Sequence, residues 1–287
     1  MTVTPLAARA SDRPAPAFRG RIGRDARSGH YAVPGRYRLH LSTACPDGLR
    51  IAITHGLLGL ETVCPATFLP AVPDSPEGGH SDLRSLYEAS AHRYTGPAVA
   101  PVLSDDWSGR IVSTHAPDIM RDLDRRFGGD RLSLYPCGAE SEIEAVERMC
   151  AQGIEQSAQR AGSAGGEPVE RDLALSTLLE TLDALDRWLV GRTYMIRDEI
   201  SAADVALWVA LVHLDTVHRN HLDAAAVQRI ADHPVLWAYA RRLTAHPAFG
   251  AYLDLDGIER RHNARCHGLE VAGAAVQILD WAAHPAH

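Results

Sequence analysis

Hydrophobic and polar residues alternate in the early part of the chain and follow a helical period later. Tyr37, Leu39 and Leu41 alternate with polar neighbours, which predicts a β-strand. The apolar residues within 49–58 recur on one side of a helix directly after that strand. From residue 140 onward strand signals stop, and the leucines of residues 175–189 follow a helical period. The pattern therefore predicts an α/β half followed by an all-α half.

The elements of the first half follow the order β-α-β-α-β-β-α, which is that of a thioredoxin-like domain. Residues 61–65 are interpreted as the second strand, and residues 82–91 as the second helix. Two apolar runs within residues 99–112 flank an Asp/Ser/Gly turn, which predicts a hairpin. Pro101 falls inside the first of these runs, where a proline is expected at a sheet edge or in a cis peptide. Residues 113–119 are predicted to begin the third helix with Ser/Thr caps.

The chain is expected to divide at a boundary near residues 128–139. We predict a flexible arm over residues 1–17, a thioredoxin-like domain over 18–128, and an all-helical domain with an irregular C-terminal tail over 139–287. Ser201 and Asp204 have the spacing of a capping box, so a buried helix should start there. The long helices expected in the second domain span residues 140–160, 168–190, 201–214 and 234–243.

Composition limits the possible partners and the compartment. The formal net charge of −7 over 287 residues argues against binding to nucleic acid or to an anionic membrane surface. No apolar run approaches the roughly 20 residues of a membrane span, and the N-terminus lacks the apolar core of a signal peptide. The 5 cysteines are scattered without CxxC spacing, which fits a reducing compartment. We therefore expect a cytoplasmic protein with no nucleic-acid or membrane partner.

Cys45 is the candidate nucleophile. Pro46 suits the first position of a helix, so Cys45 should be the N-cap, with unpaired N–H groups and the positive end of the helix dipole facing its sulfur. Such a position can lower a thiol pKa from about 8.5 to roughly 3.5–7.5. Asp47 is expected to oppose this effect through its negative charge. The alternative is a buried structural cysteine, which is the usual role of a free thiol.

Histidines in the second half raise the alternative of a metal site. His218 and His221 share a helical face by their spacing, and a cluster of His262, Cys266 and His267 follows later. None of these spacings is that of a zinc site, so we predict no metal.

These residues resemble the glutathione transferase family, through the Cys-Pro at a helix start, the Val-Ala-Pro-Val strand and the Ser-x-x-Asp of the helical half. More narrowly, the chain is similar to the xi class, the glutathionyl-hydroquinone reductases. Their segment Gly-Arg-Tyr-His-Leu-Tyr…Ala-Cys-Pro-Trp-Ala is similar to residues 35–48. The resemblance covers roughly residues 18–268, with further matching segments at residues 83–87, 94–96, 100–105, 109–112, 201–221 and 234–239.

The resemblance implies a reaction and roles for particular residues. A cysteine thiolate, here Cys45, attacks a glutathionyl–quinol thioether, and a second thiol resolves the resulting mixed disulfide. The resemblance also implies a homodimer and a small-molecule thiol conjugate as substrate. The residues implied to bind the thiol are Pro46, Ala100, Pro101, Thr114 and His115. Those implied to line the acceptor pocket are Glu155, His218, His221, His262 and Asn263.

The chain departs from the family where glutathione and the quinol are held. Asp47 and Ala66 stand in place of two tryptophans, and Thr114-His115 stands in place of a Glu-Ser pair. Glu155 and the Asn263-Ala264 pair replace tyrosines. The co-substrate is therefore predicted to be glutathione or another small thiol such as mycothiol, which some hosts with high-GC genomes use. The chain is rich in Ala and Arg, which suggests such a genome.

Two functions remain open at this point. The intact Cys45 favours a thiol-dependent transferase or reductase with an altered donor or acceptor. The replaced binding residues favour a degenerate member of the fold that binds a ligand or partner without turnover.

Overall fold

A computed structural model describes residues 18–129, 132–163, 165–266 and 278–281. The predicted flexible arm, residues 1–17, lies outside the described residues, and so does most of the predicted irregular tail. Within the described residues, no helix is long and apolar enough to cross a membrane.

The N-terminal half is built on a four-stranded mixed sheet with strand order β2-β1-β3-β4. Strand β1 pairs in parallel with β2 and antiparallel with β3, and β3 pairs antiparallel with β4. Tyr37, Leu39 and Leu41 of β1 are fully buried, as the alternation predicts. The thioredoxin-like order is therefore confirmed. Its elements are β1 (Tyr37–Leu41), α1 (Pro46–Leu57), β2 (Ala66–Phe68), α2 (Arg84–Ser90), β3 (Val102–Asp105), β4 (Arg110–Ser113) and α3 (Ala116–Phe127).

The position predicted for the second strand is wrong. Residues 61–65 form turns, and β2 begins at Ala66 instead. The backbone N–H groups of Val63 and Cys64 both donate to Leu60 O, at 3.0 and 2.8 Å, so they cannot join a ladder. Pro65 contributes only its carbonyl, which accepts from Leu39 N at 2.9 Å. Local turn bonds therefore delay the start of the strand to Ala66.

The start of α3 also differs from the prediction. His115 is the N-cap, and no side chain caps this helix. The Ser113 hydroxyl accepts a hydrogen bond from His115 N at 3.1 Å and so shapes the turn before the helix. The expected Ser/Thr cap is therefore replaced by a turn that ends one residue before the helix begins.

The C-terminal half contains no strand among the described residues of 140–250, as predicted. Asp204 and Ser201 form the predicted capping box at the start of α7, and every residue of that helix is buried. Because α3 ends at Phe127 and α4 begins at Glu140, we propose the division into domains at residues 18–128 and 139–287. The elements are α4 (Glu140–Arg148), a π-helical segment (Met149–Gln156), α5 (Ser157–Ala161), α6 (Pro168–Leu189), α7 (Ala202–Thr216), a 3₁₀ turn (His218–His221), α8 (Ala224–Ala231), α9 (Pro234–Thr244), α10 (Pro247–Gly250) and α11 (Leu255–Cys266).

The helix predicted over residues 140–160 is continuous but not uniform. Its middle, Met149–Gln156, is π-helical, a feature that is rare and often found at functional sites. At Gly153 a Cβ atom would lie 2.4 Å from the Thr181 hydroxyl oxygen of α6. Glycine therefore allows the π segment to approach α6 closely.

Candidate active site

The local structure around Cys45 confirms that it is the N-cap of α1. Its backbone is extended, and its sulfur accepts a hydrogen bond from Gly48 N at 3.2 Å. Pro46 occupies the first turn, where its missing N–H leaves no helical bond unmade. A Cβ at Gly48 would lie 2.1 Å from Ser42 O, so glycine is needed for the helix to start this close to the turn.

Burial raises the pKa of the Cys45 thiol, and the predicted lowering is wrong for this structure. The side chain is only 7% exposed, so the charged thiolate loses most of its solvation. The charge of Arg261 and the Gly48 N–H bond oppose this effect, while Asp47 adds to it as expected. The N-cap position was visible in the sequence, but the depth of the sulfur was not.

The peptide between Ala100 and Pro101 is cis, as the sequence allowed. In the register of β1 and β3, His40 faces Val102. Pro101 therefore sits beside the last residue of β1, close to the turn that leads to Cys45. This register brings the Ala100–Pro101 peptide to the end of β1 from which the chain runs on to Cys45.

Thr114 and His115 are partly exposed at the N-terminus of α3, and neither belongs to the cavity described below. His115 Nδ1 lies 2.9 Å from Asp118 Oδ2. Asp118 also forms ion pairs with Arg19 and Arg21, each at 3.0 Å. The imidazole thus lies beside a carboxylate of α3.

A cavity of about 820 Å³ opens beside Cys45, and Ala44 and Pro46 on either side of the cysteine form part of its wall. Its other walls come from the π segment, α5, α7, the 3₁₀ turn and α11. Four residues implied for the acceptor pocket line it, namely Glu155, His218, His221 and His262. Asn263 does not line this cavity and is exposed, so it lies apart from the other four residues. The cavity-facing side of α11 carries Ile258, Arg261, His262 and Arg265, which turns Asn263 outward.

The histidines of the cavity are in contact with one another. His221 Nε2 lies 2.5 Å from His262 Nε2, and the His218 ring packs edge-on against His262. Burial lowers the pKa of His218 to about 4 and that of His213, at the cavity wall, to about 3. These two imidazoles are therefore neutral near pH 7. The described part of the chain holds no group of three His, Cys, Asp or Glu side chains arranged to bind a metal ion.

Glu155 is joined to the N-terminal half by an ion pair with Arg50 of α1. Asp47 lies 3.6 Å from the same guanidinium. Burial raises the pKa of Glu155, and the Arg50 charge opposes that rise. Sequence reasoning missed Arg50, although its spacing from Asp47 on α1 was a signal of an ion pair.

Sequence reasoning also missed Arg261 and Arg265, both of which line the cavity. They flank His262 and Asn263, which the resemblance singled out. Their separation of one helical turn was the available signal, because residues at that spacing share a face.

The sequence of this chain is similar to a family model and to proteins of known activity. Residues 144–242 match the family model for the glutathione S-transferase C-terminal domain. The glutathionyl-hydroquinone reductase PcpF of Sphingobium chlorophenolicum is 30% identical over 246 residues, which cover 79% of this chain and 78% of that protein. The glutathionyl-hydroquinone reductase YqjG of Escherichia coli is 27% identical over 94% of this chain and 88% of its own.

Solved structures are also similar to this chain in their fold. A xi-class glutathione transferase from Natrialba magadii superposes with a TM-score of 0.80 at 26% identity, covering 94% of this chain and 89% of the other. The glutathione-bound structure of YqjG from Escherichia coli K-12 superposes with a TM-score of 0.75 at 25% identity, covering 86% of this chain and 87% of the other.

Proposed function

Since the chain belongs to the glutathione transferase family, in its xi class, we propose that this enzyme uses Cys45 to cleave or transfer small-molecule thiol conjugates. The observation that carries the proposal is the position of Cys45, which caps α1 between two residues that line a large cavity. The names of the relatives PcpF and YqjG support a reductive cleavage of the conjugate.

The reaction follows from the chemistry of a single thiolate. The Cys45 thiolate attacks the sulfur of the conjugate, and a disulfide forms between Cys45 and the small thiol. The bond from that sulfur to the acceptor breaks, and the acceptor leaves with the electron pair and takes up a proton. A second small thiol attacks the mixed disulfide, which frees Cys45 and releases an oxidised disulfide of the two thiols.

We assign the remaining residues by their place around Cys45. The Ala100–Pro101 backbone and Pro46 border the thiol side, while Thr114 and His115 at the head of α3 meet the far end of the co-substrate. Glu155, His218, His221 and His262 contact the acceptor in the cavity. The Arg261 charge and the Gly48 N–H both favour the Cys45 thiolate against its burial. Homodimerisation and a cytoplasmic location stay predictions.

A non-catalytic binding role is the second candidate, because burial raises the pKa of Cys45. The enzymatic and the binding role are distinguished by whether Cys45 forms a covalent adduct with a substrate. The protein is incubated with S-glutathionyl aromatic conjugates and with a panel of small thiol disulfides, and adducts are located by mass spectrometry. A catalyst should form a Cys45 adduct while the exposed Cys137 reports the behaviour of an ordinary thiol. If Cys45 reacts no faster than Cys137 with every conjugate, the binding role stands and the enzymatic proposal fails.

Glutathione is expected to bind weakly, with a dissociation constant in the millimolar range or worse as an order of magnitude. The positions that hold it in the family are here Thr114, His115, Asp47 and Ala66. Losing one charge-assisted contact costs about 1.5–3 kcal/mol, roughly ten- to a hundred-fold in affinity. Isothermal calorimetry measures this directly.

The matched gain-of-function variant carries Thr114→Glu and His115→Ser, which restores the acidic–hydroxyl pair. It should tighten glutathione binding by about ten-fold, the value of one charge-assisted bond. Micromolar binding by the unmodified protein would show that other residues replaced the missing contacts and that a different thiol, such as mycothiol, is not required.

A further inference from the structure

Arg261 and Arg265 line the cavity from one face of α11. Arg261 donates from Nη1 to Ala71 O at 2.9 Å, while its Nε is buried without a hydrogen-bond partner. Within the part of the chain that the structure describes, neither arginine forms an ion pair with a carboxylate. Both charges are close enough to act on the Cys45 thiol.

The arginines that are mostly buried behave differently. Arg36 forms an ion pair with Asp105 at 2.7 Å, Arg50 pairs with Glu155, and Arg219 lies 3.2 Å from Asp215. Arg261 is half-buried without a carboxylate partner among the described residues, so it differs from these three, and burying a guanidinium is costly unless an anion meets it.

The charged side chains that line the cavity do not neutralise one another. Its carboxylate, Glu155, is neutralised by Arg50. His213 and His218 are neutral near pH 7 because burial lowers their pKa. The two arginines of α11 therefore leave the cavity positive next to the reacting sulfur.

We infer that Arg261 and Arg265 form a carboxylate-binding site for the acceptor part of the substrate, so that the enzyme acts on thiol conjugates of aromatic or aliphatic acids. This inference rests on the proposed function and specifies its substrate class. Guanidinium groups suit carboxylates because their planar N–H donors can meet both oxygens. Apart from Ala44 and Pro46, the cavity walls come from the helical half, and Ala100 and Pro101 are not among the lining residues. The carboxylate therefore belongs to the acceptor rather than to the thiol.

The inference is tested by alkylating Cys45 with iodoacetate, which is anionic, and with iodoacetamide, which is neutral. The ratio of the two rates cancels changes in the reactivity of the sulfur itself. We expect the ratio for Cys45 to exceed that of free glutathione by about ten-fold or more, the effect of one charge-assisted contact. The ratio should fall toward the glutathione value in Arg265→Gln and in Arg261→Gln.

Two variants are needed because Arg261 also tethers α11 to Ala71, whereas Arg265 is exposed and makes no such bond. Arg229→Gln, on the exposed side of α8, removes the same charge far from the cavity and should leave the ratio unchanged. A ratio that is equal in the unmodified protein and in both α11 variants overturns the carboxylate site. Because no turnover is measured, this outcome is separate from failure of the proposed reaction.

A second experiment tests whether the carboxylate that the arginines bind belongs to the acceptor or to the thiol. Benzoate should protect Cys45 from iodoacetamide better than benzamide does, and this difference should disappear in Arg265→Gln. S-methylglutathione, which presents the carboxylates of the thiol, should protect the variant and the unmodified protein alike. If the variant instead loses protection by S-methylglutathione and benzoate never protects, the arginines bind the thiol and the assignment to the acceptor is wrong.

Discussion

Replacing Cys45 with serine is expected to lower thiol-transfer turnover by at least about a thousand-fold, because an alcohol cannot supply the thiolate nucleophile at neutral pH. The fold should survive. Serine is a favoured N-cap residue, and its hydroxyl can accept the bond that Gly48 N now donates to the sulfur. The measurements are turnover of an S-glutathionyl conjugate and the thermal midpoint of unfolding.

The matched control is Cys137→Ser, which removes an exposed thiol and should leave turnover unchanged. A Cys45→Ser protein that folds and still turns over the conjugate would remove Cys45 from the mechanism. An equal loss of turnover in Cys45→Ser and Cys137→Ser would indicate that the substitutions damage the protein, rather than that a nucleophile is lost.

Replacing Asp204 with alanine is expected to destabilise the protein by about 3–5 kcal/mol, because several buried donors would lose their acceptor at once. Asp204 is fully buried. Its carboxylate accepts from the backbone and hydroxyl of Ser201 at 2.8 and 2.7 Å, from Met195 N at 2.8 Å and from Tyr239 OH at 2.6 Å. It therefore joins the start of α7 to α9 and to the loop before α7.

Urea unfolding followed by circular dichroism measures this loss. Asp232→Ala is the control, since Asp232 is exposed and, among the residues that the structure describes, its carboxylate accepts only from Gln228 Nε2 at 3.2 Å. That variant should change the free energy of unfolding by less than about 0.5 kcal/mol. Equal stability of the two variants would show that the buried carboxylate contributes little beyond an ordinary surface residue.

Several features of this protein were determined by neighbours in sequence. The alternation around Leu39 predicted β1, the Cys45-Pro46 pair predicted the cap of α1, and the Ser201–Asp204 spacing predicted the capping box of α7. Each depends on contacts within one strand or one helical turn. A sequence pattern carries such contacts directly, because the geometry of the element fixes which residues meet.

Other features depended on residues that only the fold brings together. The start of β2 was set by turn bonds to Leu60, and the outward position of Asn263 by the packing of α11. The ion pair between Arg50 and Glu155 joins residues separated by 105 positions. Burial of the Cys45 sulfur and the two arginines facing it likewise come from helices far along the chain. Desolvation and long-range charge are properties of the packed molecule, so the sequence located the candidate nucleophile, while the tertiary structure decided the direction of its pKa shift and the charges around it.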